Sequence, residues 1–345
     1  MYFASDNAGP AHPKVIEAVT DANQGYAMPY GNDPIMEEVR AKLRGIFEAP
    51  EAAVYLVATG TAANALALAT LAEPWQTVFC TPVAHINEDE CNAPEFYMGA
   101  GKLTPVGDSD KLDPDALAAA MGSEAKIAVH AAQPGPLSIT QVTEKGRIYT
   151  CEEIAALSAV AARAGQPTHL DGARFANALV SLGCTPAEMT WRAGVDAVSF
   201  GGTKNGCLGV EAVIFFNPRH AWEFELRRKR GAHLFSKHRY LSAQMLAYLD
   251  GDLWLEMARS ANANMARLSA GLTELGASFL QTPQANLVFA ALPRAMHRRL
   301  KEAGALYYLD GDLEGPDEEM LQARFVCDWS LPTEEIDRFL EIARG

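Results

Sequence analysis

No run of eighteen apolar residues occurs in the chain, so no transmembrane helix is expected. The opening residues, Met1 to Asp6, lack the basic and apolar segments of a secretory signal. Cysteine is sparse and scattered, at 80, 91, 151, 184, 207 and 327, and no two form a C-x-x-C pair. That spacing argues against a zinc ribbon or a dithiol redox centre, and no metal is expected. Unclustered cysteines in a chain of this length fit a reducing, cytoplasmic setting. Basic charge is also short: 29 Lys and Arg stand against 43 Asp and Glu, a net charge of −14. Such an acidic surface argues against nucleic acid or an anionic membrane as a non-specific partner. There is no internal repeat and no low-complexity tract.

What remains is a chain of 345 residues, 49% hydrophobic and 21% charged, with ample material for one large or two modest domains. Short apolar runs alternate with helical patterns through the first two-thirds. Val54–Ala58, Thr77–Pro82, Ile127–Ala131, Thr168–Asp171, Ala197–Phe200 and Val210–Phe216 read as buried strands. Between two of them, Thr150 and Glu153 form a capping box, Ile154–Val160 supplies an apolar face, and Gly165 ends the helix. The alternation predicts an α/β domain with a mostly parallel sheet.

Near residue 245 the pattern changes. A long helix is predicted from about Asp252 to Leu275, then strand Asn286–Ala291, a helix over Pro293–Ala303, Leu306–Leu309, Ala323–Asp328 and a closing helix from Thr333. The expected organisation is an extended arm over 1–14, a large α/β domain over 15–246 and a smaller α+β domain over 247–345. The long helix is placed to bridge the two domains.

Chemistry-bearing residues recur just after predicted strands. Lys204 sits in the turn of "FGGTKNG", crowded by Gly201, Gly202, Gly206 and Gly209. Small neighbours would let a flat ligand approach and form an imine with the amine, although most turn lysines are merely solvated. In "HLDGARFANA", Asp171 ends a strand and Arg174 follows. The ordinary explanation is a helix cap; the sharper one is a carboxylate set to pair with a protonated pyridine nitrogen. In "ATGTAANA", Gly60 and Thr61 open a helix, where free N–H groups and the dipole suit a phosphate. His85 follows another strand, where it would stack on a ring or act as a base.

Each signal is modest alone, and their order is the stronger evidence. With "SDN" at Ser5–Asn7, "PYGNDP" at Pro29–Pro34, "TGTAAN" at Thr59–Asn64, "LDGARFANA" and "FGGTKNG", the chain resembles the threonine aldolase family, low-specificity type, of the β-eliminating lyases. These are fold-type-I enzymes dependent on pyridoxal 5′-phosphate (PLP). The resemblance implies a mostly parallel seven-stranded sheet in the large domain and retro-aldol cleavage of a β-hydroxy-α-amino acid to glycine and an aldehyde. It also implies a homo-oligomer, a dimer of dimers.

By the same resemblance Lys204 would bind the cofactor aldehyde, and Asp171 the ring nitrogen. Arg174 would approach the ring hydroxyl, Gly60 and Thr61 the phosphate, and His85 the ring face. Ser5 and Arg324 would take the substrate carboxylate, a role that suits an arginine fork. Tyr30 would line the site across an interface, and Lys237, from the basic stretch Arg227–Arg239, would reach a neighbouring subunit's phosphate. For the catalytic base His85 is the candidate. One departure concerns Gln141–Gly146, where many relatives carry Asn-Thr-His-Asn: Glu144 takes the place of the histidine, near the expected substrate hydroxyl. The motifs alone leave open PLP-dependent β-elimination, transamination, or a fold that binds without catalysis.

Overall fold

Buried parallel strands need apolar side chains on both faces, and the middle of this chain supplies them in runs of five. A computed structural model describes residues 1–125 and 128–345. Seven strands form the larger sheet: β1 (Ala53–Val57), β2 (Gln76–Cys80), β3 (Lys102–Pro105), β4 (Gln133–Thr140), β5 (Thr168–Gly172), β6 (Ala197–Gly201) and β7 (Glu211–Phe215). Their order is β1-β7-β6-β5-β4-β2-β3. β7 runs antiparallel to both β1 and β6, and the remaining pairs are parallel. β1, β5, β6 and β7 are buried along their whole length.

The helix Gly60–Leu71 is apolar all round, and Ala62 to Leu71 are buried, because it is covered on every side. The predicted capping box is present: Glu153 N–H donates to Thr150 Oγ1 at 3.2 Å, and Thr150 N–H donates to Glu153 Oε2 at 2.7 Å. Gly165 follows this helix with φ +71°.

The second sheet is antiparallel, of β8 (Ser278–Phe279), β9 (Leu287–Pro293), β10 (Tyr308–Leu309) and β11 (Met320–Val326), in the order β10-β11-β9-β8. The helix Leu253–Glu274 joins the two cores. Leu253, Trp254 and Met257 pack with the larger sheet, whereas Met265, Leu268 and Leu272 pack with the smaller.

Two expectations are corrected. The strand predicted at Ile127–Ala131 is absent among the described residues: Ile127 lies outside them, and Ala128–His130 form a 3-10 turn. The strand comes later, as β4. The N-terminal arm is not simply extended to residue 14. A 3-10 turn spans Asp6–Ala8, and a helix begins at Pro13. Phe3 is buried in the smaller core, its ring 4.7 Å from that of Phe339.

Candidate active site

β1, β2, β4, β5 and β6 all point the same way, so their carboxyl ends share one edge of the sheet; β7 starts there. At this edge lies a cleft of about 320 Å³. Seven predicted residues line it: Gly60, Thr61, His85, Glu144, Asp171, Arg174 and Lys204. Ser5, Tyr30, Lys237 and Arg324 do not.

The lysine turn is braced from below. Gly202 N–H donates to Glu211 Oε2 at 2.7 Å, and Val210 N–H to Thr203 Oγ1 at 3.1 Å. Asn205 donates to Tyr248 Oη and to the Trp254 carbonyl, each at 2.8 Å. Gly201 and Gly202 serve this bracing rather than ligand access: a Cβ at Gly201 would stand 2.4 Å from the Ala173 carbonyl oxygen, and one at Gly202 2.7 Å from that of Val210. The Lys204 amine is pushed below its ordinary range, first by burial and then by the Arg174 charge. A lowered amine pKa favours the neutral form, which is the nucleophile toward an aldehyde.

Asp171 accepts from Ala173 N–H at 3.0 Å and from Asn64 Nδ2 at 2.8 Å. The same Asn64 amide donates to Glu90 Oε1 at 2.9 Å, and Glu90 Oε1 lies 2.8 Å from His85 Nδ1. A chain His85–Glu90–Asn64–Asp171 thus links two predicted site residues through two unpredicted ones. Hydrogen bonding to Glu90 raises the His85 pKa against the opposing effect of burial, and burial raises that of Glu90. Below Asp171, His169 is enclosed between Ser138 and Ser199 at 3.0 and 2.9 Å, and burial lowers it to about 4. It is a neutral structural histidine.

Arg174 is gripped by Asp6 in a two-pronged pair, at 2.7 and 2.9 Å. Ser5, beside it, accepts the Asn7 N–H at 3.1 Å, and Asn7 lines the cleft. Arg324 lies on β11 with its guanidinium 5.7 Å from the Tyr308 ring centroid. Burial, then the charge of Arg174, lowers its pKa. Thr59 caps the helix Gly60–Leu71, accepting Ala62 N–H at 3.2 Å; helix geometry leaves the first-turn N–H groups free for an anion.

Glu144 follows β4. Its Oε1 accepts the His85 N–H at 2.8 Å, and its Oε2 is buried without a hydrogen-bond partner. Glu211, another cleft residue absent from the sequence reading, is pushed by burial up to about 7. Among the described residues there is no group of three or more His, Cys, Asp or Glu placed to hold a metal, and no helix long and apolar enough to cross a membrane.

The family model described as Beta-eliminating lyase matches residues 2–294, which span the larger sheet and every residue of this cleft. The chain belongs to that family. A low specificity L-threonine aldolase of Pseudomonas aeruginosa is 38% identical, over 99% of this chain and 96% of that protein. A Leishmania major threonine aldolase structure superposes with a TM-score of 0.92 at 26% identity, covering 99% of this chain and 98% of the other. A more distant structure, SPT with PLP internal aldimine, has a TM-score of 0.71 at 18% identity over 100% of this chain and 86% of that one, and shares the fold.

Proposed function

We propose that the cleft binds PLP and that the loaded protein cleaves β-hydroxy-α-amino acids, threonine among them, to glycine and an aldehyde. The observation that carries this reading is the convergence of the Lys204 amine, the Asp171 carboxylate and the N-terminus of the helix Gly60–Leu71 on one cleft. Those groups match the aldehyde, ring nitrogen and phosphate of PLP. The threonine aldolase relatives supply the substrate class.

When bound, PLP supplies an aldehyde that takes up the substrate amine and an electron-poor ring that accepts the electron pair of the breaking bond. The rest falls to the chain. Lys204 would hold the group through its aldehyde. Asp171, fixed by Asn64 and Ala173, would accept from the ring N–H. The Gly60 and Thr61 N–H groups would hold the phosphate, and Arg174 would pair with the ring hydroxyl. His85, oriented by Glu90, would lie against the ring. Ser5 and Arg324 stand outside the cleft lining; Arg324, which feels the Arg174 and Asp6 charges, would take the substrate carboxylate with Ser5 and so orient the bond to be broken.

Tyr30 and Lys237 serve the cleft of a second subunit in this reading. Tyr30 N–H donates to the Ser236 carbonyl at 3.1 Å, so the two residues lie side by side on an exposed surface, off their own cleft. The same reading makes the protein a cytoplasmic homo-oligomer, a dimer of dimers, a compartment that its six free cysteines suit. The chain divides into the arm 1–14, the cofactor-binding 15–246 and the smaller 247–345.

Product analysis tests the reaction. With L-threonine, L-allo-threonine and phenylserine, glycine should form in equal amount with acetaldehyde or benzaldehyde. A 2-oxo acid and ammonia instead would mean elimination, and amino transfer to an added oxo acid would mean a transaminase; either overturns the reading.

A further inference from the structure

Four carboxylates line the cleft, and their partners separate their roles. Asp171 is committed to Asn64 and to Ala173 N–H. Glu211 supports the lysine turn through Gly202 N–H. Glu90 also has an unpartnered Oε2, but its side chain is fully enclosed, and its Oε1 serves both Asn64 and His85. It acts through the imidazole. Glu144 alone combines one anchored oxygen with a free one in a cleft-lining side chain not set behind another.

A buried, unpartnered carboxylate oxygen is costly to keep unless something enters to use it. The entrant must offer a hydrogen-bond donor. The substrate's β-hydroxyl is such a donor, and its proton must leave for an aldehyde to form. We propose that Glu144 Oε2 takes the proton of the substrate β-hydroxyl, as the general base of the cleavage. This rests on the reading of the cleft given above.

The balance is simple. The O–H proton passes to Oε2, the oxygen's electrons form the aldehyde C=O, and the Cα–Cβ pair stays with the Cα fragment. Lys204, freed by the amino acid, gives Cα a proton, and Glu144 loses its own to solvent. Anchoring of Oε1 by His85 N–H fixes the carboxylate plane, which is what a base acting on one hydroxyl orientation requires.

The titration supports the same role. Burial pushes Glu144 up to about 7, against pulls from its own backbone N–H and Thr140, neither of which reaches hydrogen-bonding geometry with Oε2, and from the His85 N–H; the Asp171 charge adds to the rise. The other titratable groups that feel its charge are Cys80 on β2 and Tyr149, while His85 meets it through the backbone N–H. Cys80 is pushed up to about 12 by burial and Tyr149 also lies above its ordinary value, so both stay neutral near pH 7. A base needs its ionised form, so kcat/KM should rise with pH through about 7.

The experiment uses the PLP-loaded wild type, Glu144→Gln and Glu144→Asp. Glutamine keeps the acceptor for His85 N–H but cannot take a proton. Threonine cleavage by Glu144→Gln should fall about a hundredfold, the scale of one positioned base, and its kcat/KM should lose the rising limb near pH 7. Glycine α-proton exchange in D₂O needs the loaded site but no β-hydroxyl, so Glu144→Gln should lose far less of it than of threonine cleavage. Glu144→Asp should recover part of the cleavage rate. In the cofactor-free protein, a ¹³C carboxyl resonance missing from Glu144→Gln should titrate near pH 7. Wild-type-like cleavage by Glu144→Gln, equal loss of cleavage and exchange, or a resonance titrating near the ordinary glutamate value overturns the proposal. Failure of the wild type to exchange glycine protons would instead refute the reading of the cleft.

Discussion

Replacing Asp6 with asparagine removes the counter-charge of a buried arginine. The carboxylate accepts from Arg174 Nε at 2.7 Å, from Arg174 Nη2 at 2.9 Å and from Asn286 Nδ2 at 3.1 Å. Both side chains of the ion pair are nearly inaccessible. Breaking a buried pair by neutralising one partner costs about 3–5 kcal/mol, because the other charge is left uncompensated. Asparagine keeps one oxygen, so one Arg174 bond survives, and the lower end, about 3 kcal/mol, applies. In a chain of 345 residues that corresponds to a fall of about 4 °C in Tm.

The pH dependence has a definite sign. Burial would raise the Asp6 pKa, but the charges of Arg174 and Lys204 and the hydrogen bonds outweigh it and hold it below the ordinary value. A depressed carboxylate stabilises the fold above its unfolded pKa, and that contribution fades as pH falls through the lower folded value. The gap between wild type and Asp6→Asn should therefore be full at pH 7 and shrink below about pH 4. Urea and thermal unfolding of the cofactor-free proteins across that range measure it. Equal stability at pH 7, or a gap that does not change on acidification, would refute the reasoning.

Three further outcomes follow from the cleft. Asp171→Asn should bind PLP but lose about a hundredfold in turnover, the worth of one strong charge-assisted bond; more than half of wild-type turnover at saturating cofactor would contradict this. Glu90→Gln should lower the titration midpoint of His85, followed by ¹⁵N imidazole NMR, since hydrogen bonding to Glu90 is the largest cause of its raised value; an unmoved midpoint would remove the coupling. Lys204→Ala and Lys237→Ala should each be impaired, and refolding them as a mixture should restore about a quarter of wild-type activity, because a two-fold dimer then carries one intact site. No recovery on mixing would place Lys237 outside a partner's cleft.

Much of the cleft was readable because its residues stand just after apolar strands, where the chain must turn and polar groups become conspicuous. Gly60, Thr61, His85, Asp171, Arg174 and Lys204 were found that way. β4 was not, because Pro134, Gly135 and Pro136 open it. Proline normally demotes a strand, so the apolar run at Ile127–Ala131 drew the assignment instead. The glycine has a packing reason: a Cβ at Gly135 would lie 2.6 Å from the Thr77 carbonyl oxygen, where the β2–β4 register shifts. Asn64 and Glu90 were missed for a different reason. Asn64 lies inside a helix read only as apolar, and a buried amide there was the available signal. Glu90 reaches Asn64 through tertiary contact, which no local spacing encodes. The lysine turn stands where the sequence places it, but Gly201 and Gly202 make room for backbone rather than for a ligand.

The central claim, that Lys204 is the residue through which PLP is held in this cleft, is tested most directly by borohydride reduction of the loaded protein followed by peptide mass mapping. The account predicts one phosphopyridoxyl group, on the peptide containing Lys204, and none after prior incubation with an amino acid that displaces the lysine. A label on any other lysine, or no label on a protein that has taken up PLP, would contradict it.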